Sequence, residues 1–301
     1  MHYAQLFLIK ILLSLFFTGI FTEKGVFSLT ELYVDDIILY SFYINFILRH
    51  LPIYRLVIPF IYISIHYYIK NIKGSYTMQI ICLGDSITDC GHLLDDFPLG
   101  NGYVQMLAEM FQKEIPGRRP DSYSDNSRSF LSNTVQIKNY GFDGFTISRV
   151  LDNIRQHRIS LHRSPVVTLL IGINDIGLMM NTNRTASQQK QMMTEFSEHY
   201  DELLKLLTAD ARQVILMEPF IFPHPEEYQT WIPHVRTMSD LIQNLAAKYR
   251  LPFVPLHDDL NKIAAEQGFD AITIDGIHLT AHGHELLARK LYPLVLETIA
   301  G

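Results

Sequence analysis

Two rhythms alternate along most of this chain. Short runs rich in apolar residues occur at 79–83, 134–138, 166–171, 213–217 and 252–255. Runs of this length, set between turn residues, predict strands of a buried sheet. Between them the apolar positions recur every three or four residues. Val104, Leu107, Ala108 and Phe111 form one stripe, and Ile147, Val150, Leu151 and Ile154 another. Phe196, Tyr200, Leu203, Leu204 and Leu207 form the longest, followed by Met238, Leu241, Ile242, Leu245 and Tyr249. Each stripe predicts a helix with one buried face. A last helix is expected over about 281–299, with Pro293 kinking or restarting it. Five strands alternating with helices predict an α/β fold, a five-stranded parallel sheet covered on both faces.

Two longer connections interrupt this order. Residues 115–133 are polar and rich in Ser, Pro and Arg, and read as an exposed insertion. Residues 218–234 are proline-rich and hold the only tryptophan, Trp231. They leave the carboxyl end of a strand. They read either as a surface loop with aromatics packed beneath it or as the lining of a substrate pocket.

Residues 1–77 have a different character, an apolar extension with runs at 4–21, 37–48 and 56–69. Only the first approaches the roughly 20 residues of a membrane span, and Lys10 interrupts it. No basic stretch precedes it and no small-residue cleavage site follows, as a signal peptide requires. The extension holds a single alanine, Ala4, whereas membrane helices use more small residues. Met78 stands directly before the first predicted strand. Residues 1–77 therefore read either as a membrane anchor or as translated upstream sequence, and 78–301 as the folded domain. The first alternative places the protein at a membrane, the second in the cytoplasm. Charge divides at the same point. Six basic and four acidic residues give +2 over 1–77, leaving −8 for the remainder of a chain whose total is −6.

Composition excludes some functions. There is no basic stripe and no nucleic-acid-binding motif, so nucleic acid is not an expected partner. The two cysteines fit neither a disulfide framework nor a zinc pattern. Cys82 reads as a buried strand residue and Cys90 as a small residue in the following turn.

The candidate chemistry starts at Gly84-Asp85-Ser86-Ile87-Thr88, where the first strand turns toward a helix. That turn puts a hydroxyl at the carboxyl edge of the sheet, where open α/β folds bind ligands. Acyl transfer by serine needs a nucleophile, a base, a group that orients the base, and donors for the oxyanion. Ser86 is the candidate nucleophile. His278 is the candidate base, and Asp275, three residues earlier, its orienting partner. Gly141 and Asn174, at two other strand ends, are candidate oxyanion donors together with the Ser86 N–H. Asp85 and Asp175 are expected to order their own turns and so support the site. Taken singly, Asn139 and Gly141 could be a turn, Asn174 and Asp175 a helix cap, and Asp275 and His278 a surface pair. A metal site at His278, His282 and His284 is disfavoured, because on a helix the third would not share the face of the first two. The Gly84 turn lacks the Gly-Lys-Ser/Thr of a phosphate loop.

As a set, GDSIT, NYG, GIND and DGIH resemble the four blocks of the SGNH (GDSL-type) serine hydrolases over roughly 78–300. The resemblance implies a flavodoxin-like three-layer α/β/α sandwich. It implies Ser86, His278 and Asp275 as catalytic residues, and Gly141, Asn174 and the Ser86 N–H as the oxyanion hole. It implies no metal and no organic cofactor. GDSITDCG (84–91), LGNGYV (99–104), NYGFDGFT (139–146) and IGIND (171–175) are similar to the branch that contains acetylxylan esterases and other carbohydrate deacetylases. That branch often carries Trp before the last Asp and Pro after the His, where this chain has Ile274 and Leu279. The implied partner is a small-molecule or oligosaccharide ester, and the implied reaction is removal of short acyl groups, acetyl foremost. The alternatives are a membrane-linked acyltransferase to a cell-wall sugar, a lysophospholipase or thioesterase, and a scaffold with a relic hydrolase domain.

Overall fold

The computed structural model describes residues 78–93, 97–113, 129–131, 135–161 and 165–300. The expectations for residues 1–77 and for most of the 115–133 insertion lie outside the described residues.

The run at the start of the domain forms β1, Met78–Gly84, whose Ile80, Ile81, Cys82 and Leu83 are fully buried. Strand β2, Ser129–Leu131, follows, then β3, Val135–Gly141. The later strands are β4, Val166–Leu170, β5, Gln213–Met217, and β6, Phe253–Val254. They form one sheet in the order β2-β3-β1-β4-β5-β6. Strand β1 pairs in parallel with β3 and β4, and β4, β5 and β6 continue in parallel. The five expected parallel strands are thus all present. The sequence reading missed β2, a three-residue strand antiparallel to β3 at the sheet edge.

The helices are α1, Ser86–Asp89, α2, Tyr103–Lys113, α3, Ile147–Arg155, α4, Ile173–Met180, and α5, Ala186–Asp210. After β5 come α6, Ile232–Tyr249, α7, His257–Gln267, α8, Phe269–Ile272, and α9, Ala281–Ala300. The stripes predicted on α2, α3 and α5 are the buried faces of those helices. Helix α6 buries Val235, Met238, Ser239, Ile242 and Ala246, so of its predicted stripe Met238 and Ile242 are buried and Leu241, Leu245 and Tyr249 lie at its margin. In α5 the buried residues are Phe196, Tyr200, Leu203, Leu204 and Leu207. The strand order runs one way from β1 to β3 and the other way from β1 through β4 to β6. Right-handed crossovers then put α2 on one face of the sheet and α3, α5 and α6 on the other. Accordingly α2 packs with α9, and α3 and α6 pack with α5. The helix does not restart at Pro293: α9 runs on through it. Leu291 and Val295 on either side are fully buried, and this packing offsets the lost backbone bond. Among the described residues no helix is long and apolar enough to cross a membrane.

Because strand order reverses at β1, a crevice opens at its carboxyl end between β3 and β4. Ser86 follows β1, Gly141 closes β3, and Asn174 follows β4.

Candidate active site

Ser86 is the first residue of a four-residue helix, and Asp85 is its N-cap. Asp85 is extended, and its Oδ1 accepts the Ile87 N–H at 3.1 Å. The cap fixes the turn, and it leaves the Ser86 N–H, at the helix start, without an intrahelical acceptor. The helix ends at Cys90, which takes the left-handed conformation with φ of 44°.

The Ser86 hydroxyl lies 2.9 Å from His278 Nε2. On the other side of the ring, Nδ1 lies 2.6 Å from Asp275 Oδ2. Asp275 Oδ1 accepts the backbone N–H of Ile277 at 2.9 Å and of His278 at 2.7 Å. Burial works against ionisation of Asp275, but the bonds from the His278 ring and these two N–H groups outweigh it and hold the carboxyl below its ordinary value. An ionised Asp275 requires the proton on Nδ1, which leaves Nε2 as an acceptor for the serine hydroxyl. The loop is pinned further: Thr273 Oγ1 donates to the His278 carbonyl at 2.7 Å, and the Gly276 N–H donates to Thr273 Oγ1 at 2.9 Å. Gly276 has φ of +92°, and a Cβ there would lie 2.2 Å from the His224 carbonyl. Only glycine fits that position.

The proposed oxyanion donors fare differently. Asn174 Nδ2 donates to the Phe145 carbonyl at 2.9 Å, which uses one of its two N–H bonds and leaves the other. Gly141 is placed beside the site, but its N–H donates to Asn139 Oδ1 at 2.8 Å and is not free for a substrate. Its lack of a side chain has a packing cause, since a Cβ would lie 2.2 Å from the Asp89 nitrogen. The rest of that loop is also engaged. The N–H of Phe142 donates to Gly84 O, that of Asp143 to Asp89 Oδ2, and that of Phe145 to Phe142 O. Among the described residues from 141 to 145, the backbone N–H without an acceptor is that of Gly144, which is exposed. The sequence reading took Asn139 only as a turn residue and did not single out Gly144 or Asp89. The second glycine of NYGFDG was the available signal.

Beyond the turn-ordering role expected of it, Asp175 accepts the Ile147 N–H at 3.1 Å. That group opens α3, whose N-cap Thr146 makes no side-chain cap bond. Burial pushes Asp175 up to about 7. Asp85 is also pushed up to about 7 by burial, partly offset by the Ile87 bond. Its Oδ2 is buried with no hydrogen-bond partner.

The three C-terminal histidines point to separate partners. His278 meets Ser86 and Asp275. His282 meets Gln267, and His284 accepts the Tyr103 N–H while facing the Cys90 thiol. The 218–234 connection is partly core, since Phe220, Ile221 and Phe222 are fully buried and Trp231 nearly so. It also reaches the site. The Phe222 N–H donates to Gly276 O, and the Tyr228 ring packs over Gly276 and against Trp231 at a 4.7 Å centroid distance.

Comparison with known proteins gives the family and the fold. The family model described as GDSL-like lipase/acylhydrolase matches residues 82–286. An acetylxylan esterase from Geobacillus stearothermophilus is 24% identical over 223 residues, covering 70% of this chain and 90% of its own. A solved variant of Axe2, an acetylxylan esterase from the same organism, superposes with a TM-score of 0.59 at 21% identity, covering 75% of this chain and 96% of its own. LAE5, an α/β hydrolase from the metagenome of Lake Arreo, Spain, gives 0.57 at 20% identity over 75% of this chain and 96% of its own. Motifs, sheet order and family match converge: the chain belongs to the GDSL-like lipase/acylhydrolase family, the SGNH hydrolases, and is a carboxylic ester hydrolase.

Proposed function

We propose that this hydrolase removes short acyl groups, acetyl foremost, from an alcohol such as a sugar hydroxyl, through an acyl-enzyme on Ser86. The observation that carries the reading is the continuous relay from Ser86 Oγ to His278 Nε2, 2.9 Å, and from His278 Nδ1 to Asp275 Oδ2, 2.6 Å. His278 takes the serine proton as Oγ bonds to the ester carbonyl carbon. It then delivers that proton to the departing alcohol as the C–O bond breaks. Water then gives a proton to His278 as its oxygen bonds to the acyl carbon, and His278 returns that proton to Oγ as the bond from the acyl carbon to Oγ breaks and the acid leaves. Asp275 keeps the proton-bearing nitrogen turned away from the serine and stabilises the imidazolium.

The negative charge that develops on the carbonyl oxygen is met by the Ser86 N–H and the uncommitted N–H of Asn174. The third donor is read as Gly144 in place of Gly141, because Gly141 is already bonded to Asn139. Variants of Axe2 described as catalytic mutants replace a serine, an aspartate and a histidine, the aspartate three positions before the histidine. Asp275 and His278 have the same spacing. The acetylxylan esterase activity for which that relative is named favours an acetylated sugar as substrate. The acyltransferase alternative draws no support from these relatives, which are named as esterases or hydrolases.

Hydrolysis of p-nitrophenyl esters from acetate to long chains, and of acetylated xylosides, tests the reading. The expected result is a rate that peaks at acetate and vanishes in Ser86→Ala. A peak at long chains would replace the deacetylase with a lipase.

A further inference from the structure

The oxyanion loop carries no side chain of its own into the relay, yet it is tied to the nucleophile helix by one carboxylate. Asp89 is the last residue of α1, three positions after Ser86, and is 7% exposed. Its Oδ1 accepts from His92 twice, from the backbone N–H at 3.2 Å and from ring Nδ1 at 2.6 Å. Its Oδ2 accepts the Asp143 N–H at 3.1 Å. Asp143 directly precedes Gly144.

The surroundings make this bond a junction. The His92 ring stands edge-on to Phe142, centroids 5.8 Å apart, and Phe142 stacks on Phe145 at 4.6 Å. The Phe145 carbonyl in turn receives Asn174 Nδ2. Asn139 holds the same helix end from below, donating to the carbonyls of Thr88 at 2.7 Å and Leu99 at 2.8 Å. A single turn of helix therefore presents the nucleophile at its start and the clamp on the oxyanion loop at its end.

We propose that Asp89 is a positioning residue for ester hydrolysis: by holding the Asp143 N–H it sets where the next amide, that of Gly144, meets the oxyanion. This rests on the acyl-enzyme reading above. Misplacing a catalytic donor by about 1 Å can cost up to about 100-fold in rate.

Asp89→Asn separates the clamp from the packing. His92 presents two donors to Oδ1, so the amide oxygen occupies that position. The new NH₂ then faces the Asp143 N–H, and donor meets donor. In the full-length chain the variant is expected to lose about 10- to 100-fold in kcat, with KM within about threefold of wild type. Amide hydrogen exchange is expected to quicken over residues 142–146 and to stay unchanged over β1 and β4. Wild-type kcat in Asp89→Asn, or a loss that appears in KM instead, would overturn the positioning role while leaving the esterase reading intact. Unchanged exchange at 142–146 would overturn it independently of activity. A wild-type protein with no Ser86-dependent hydrolysis would bring down both.

Discussion

Asn174 and Asp85 show how one side chain can serve two ends at this site. Asn174 spends one N–H on the Phe145 carbonyl and leaves the other, the proposed oxyanion donor, uncommitted. Asn174→Ala is therefore expected to lower kcat by about 10² to 10³, with the fold intact by circular dichroism; a near wild-type rate would remove it from the oxyanion hole. Asp85 also has a structural and an electrostatic side. Its Oδ1 caps the nucleophile helix, and its buried Oδ2 lacks a partner. Burial raises Asp85 and Asp175 to about 7 each, while in the unfolded chain they titrate near 4. The folded state thus holds more protons than the unfolded state between about pH 4 and pH 7, and stability contributed by these groups falls as pH rises through that window. Asp85→Asn keeps a cap-forming side chain and removes the titration. Its thermal midpoint relative to wild type is expected to rise from pH 4 to pH 7 and then level off. A difference independent of pH would show that Asp85 ionises as an ordinary carboxylate.

At the scale of elements, the Asp275–His278 loop is shaped by the connection that runs from β5 to α6. The Phe222 N–H bonds to Gly276 O, and the His224 carbonyl and Tyr228 ring leave no room for a Cβ on Gly276. Gly276→Ala is expected to push the loop away from Ser86 and lower kcat at least tenfold, with a smaller change in KM, measured on p-nitrophenyl acetate. Unchanged kcat would mean that the loop's own bonds to Thr273 suffice. The strands buried on both faces and the long helical stripes were legible in the sequence because burial imposes their periods. Strand β2 was not, because three residues are too few to show a period. Helix α7 was missed for a similar reason, since only His257, Leu260 and Ala264 along it are buried. Of the two readings of the 218–234 connection, aromatics packed under a surface loop fits Trp231, which is nearly buried and packs against Tyr228.

Across the whole molecule, the site exists because the strand order reverses at β1 and brings three loop ends to one edge of the sheet. Ser86, Asn174, Asp275 and His278 were legible because their chemistry demands particular side chains at strand ends and helix starts. The proposed backbone donor was not. An N–H belongs to every residue but proline, so only the bond from Gly141 to Asn139 and the engagement of its neighbours separate Gly144 from Gly141. Asp89 was hidden for the opposite reason, because its partners come from sequence positions 3 and 54 residues away. The central claim is that an acyl group passes through Ser86. The most direct measurement is peptide mapping of the full-length protein after reaction with a serine-reactive phosphonate, alongside Ser86→Ala. The account predicts one adduct per chain, on the peptide that contains Ser86, together with loss of ester hydrolysis, and no adduct in the variant. Labelling on another residue, or hydrolysis that persists in Ser86→Ala, would contradict it.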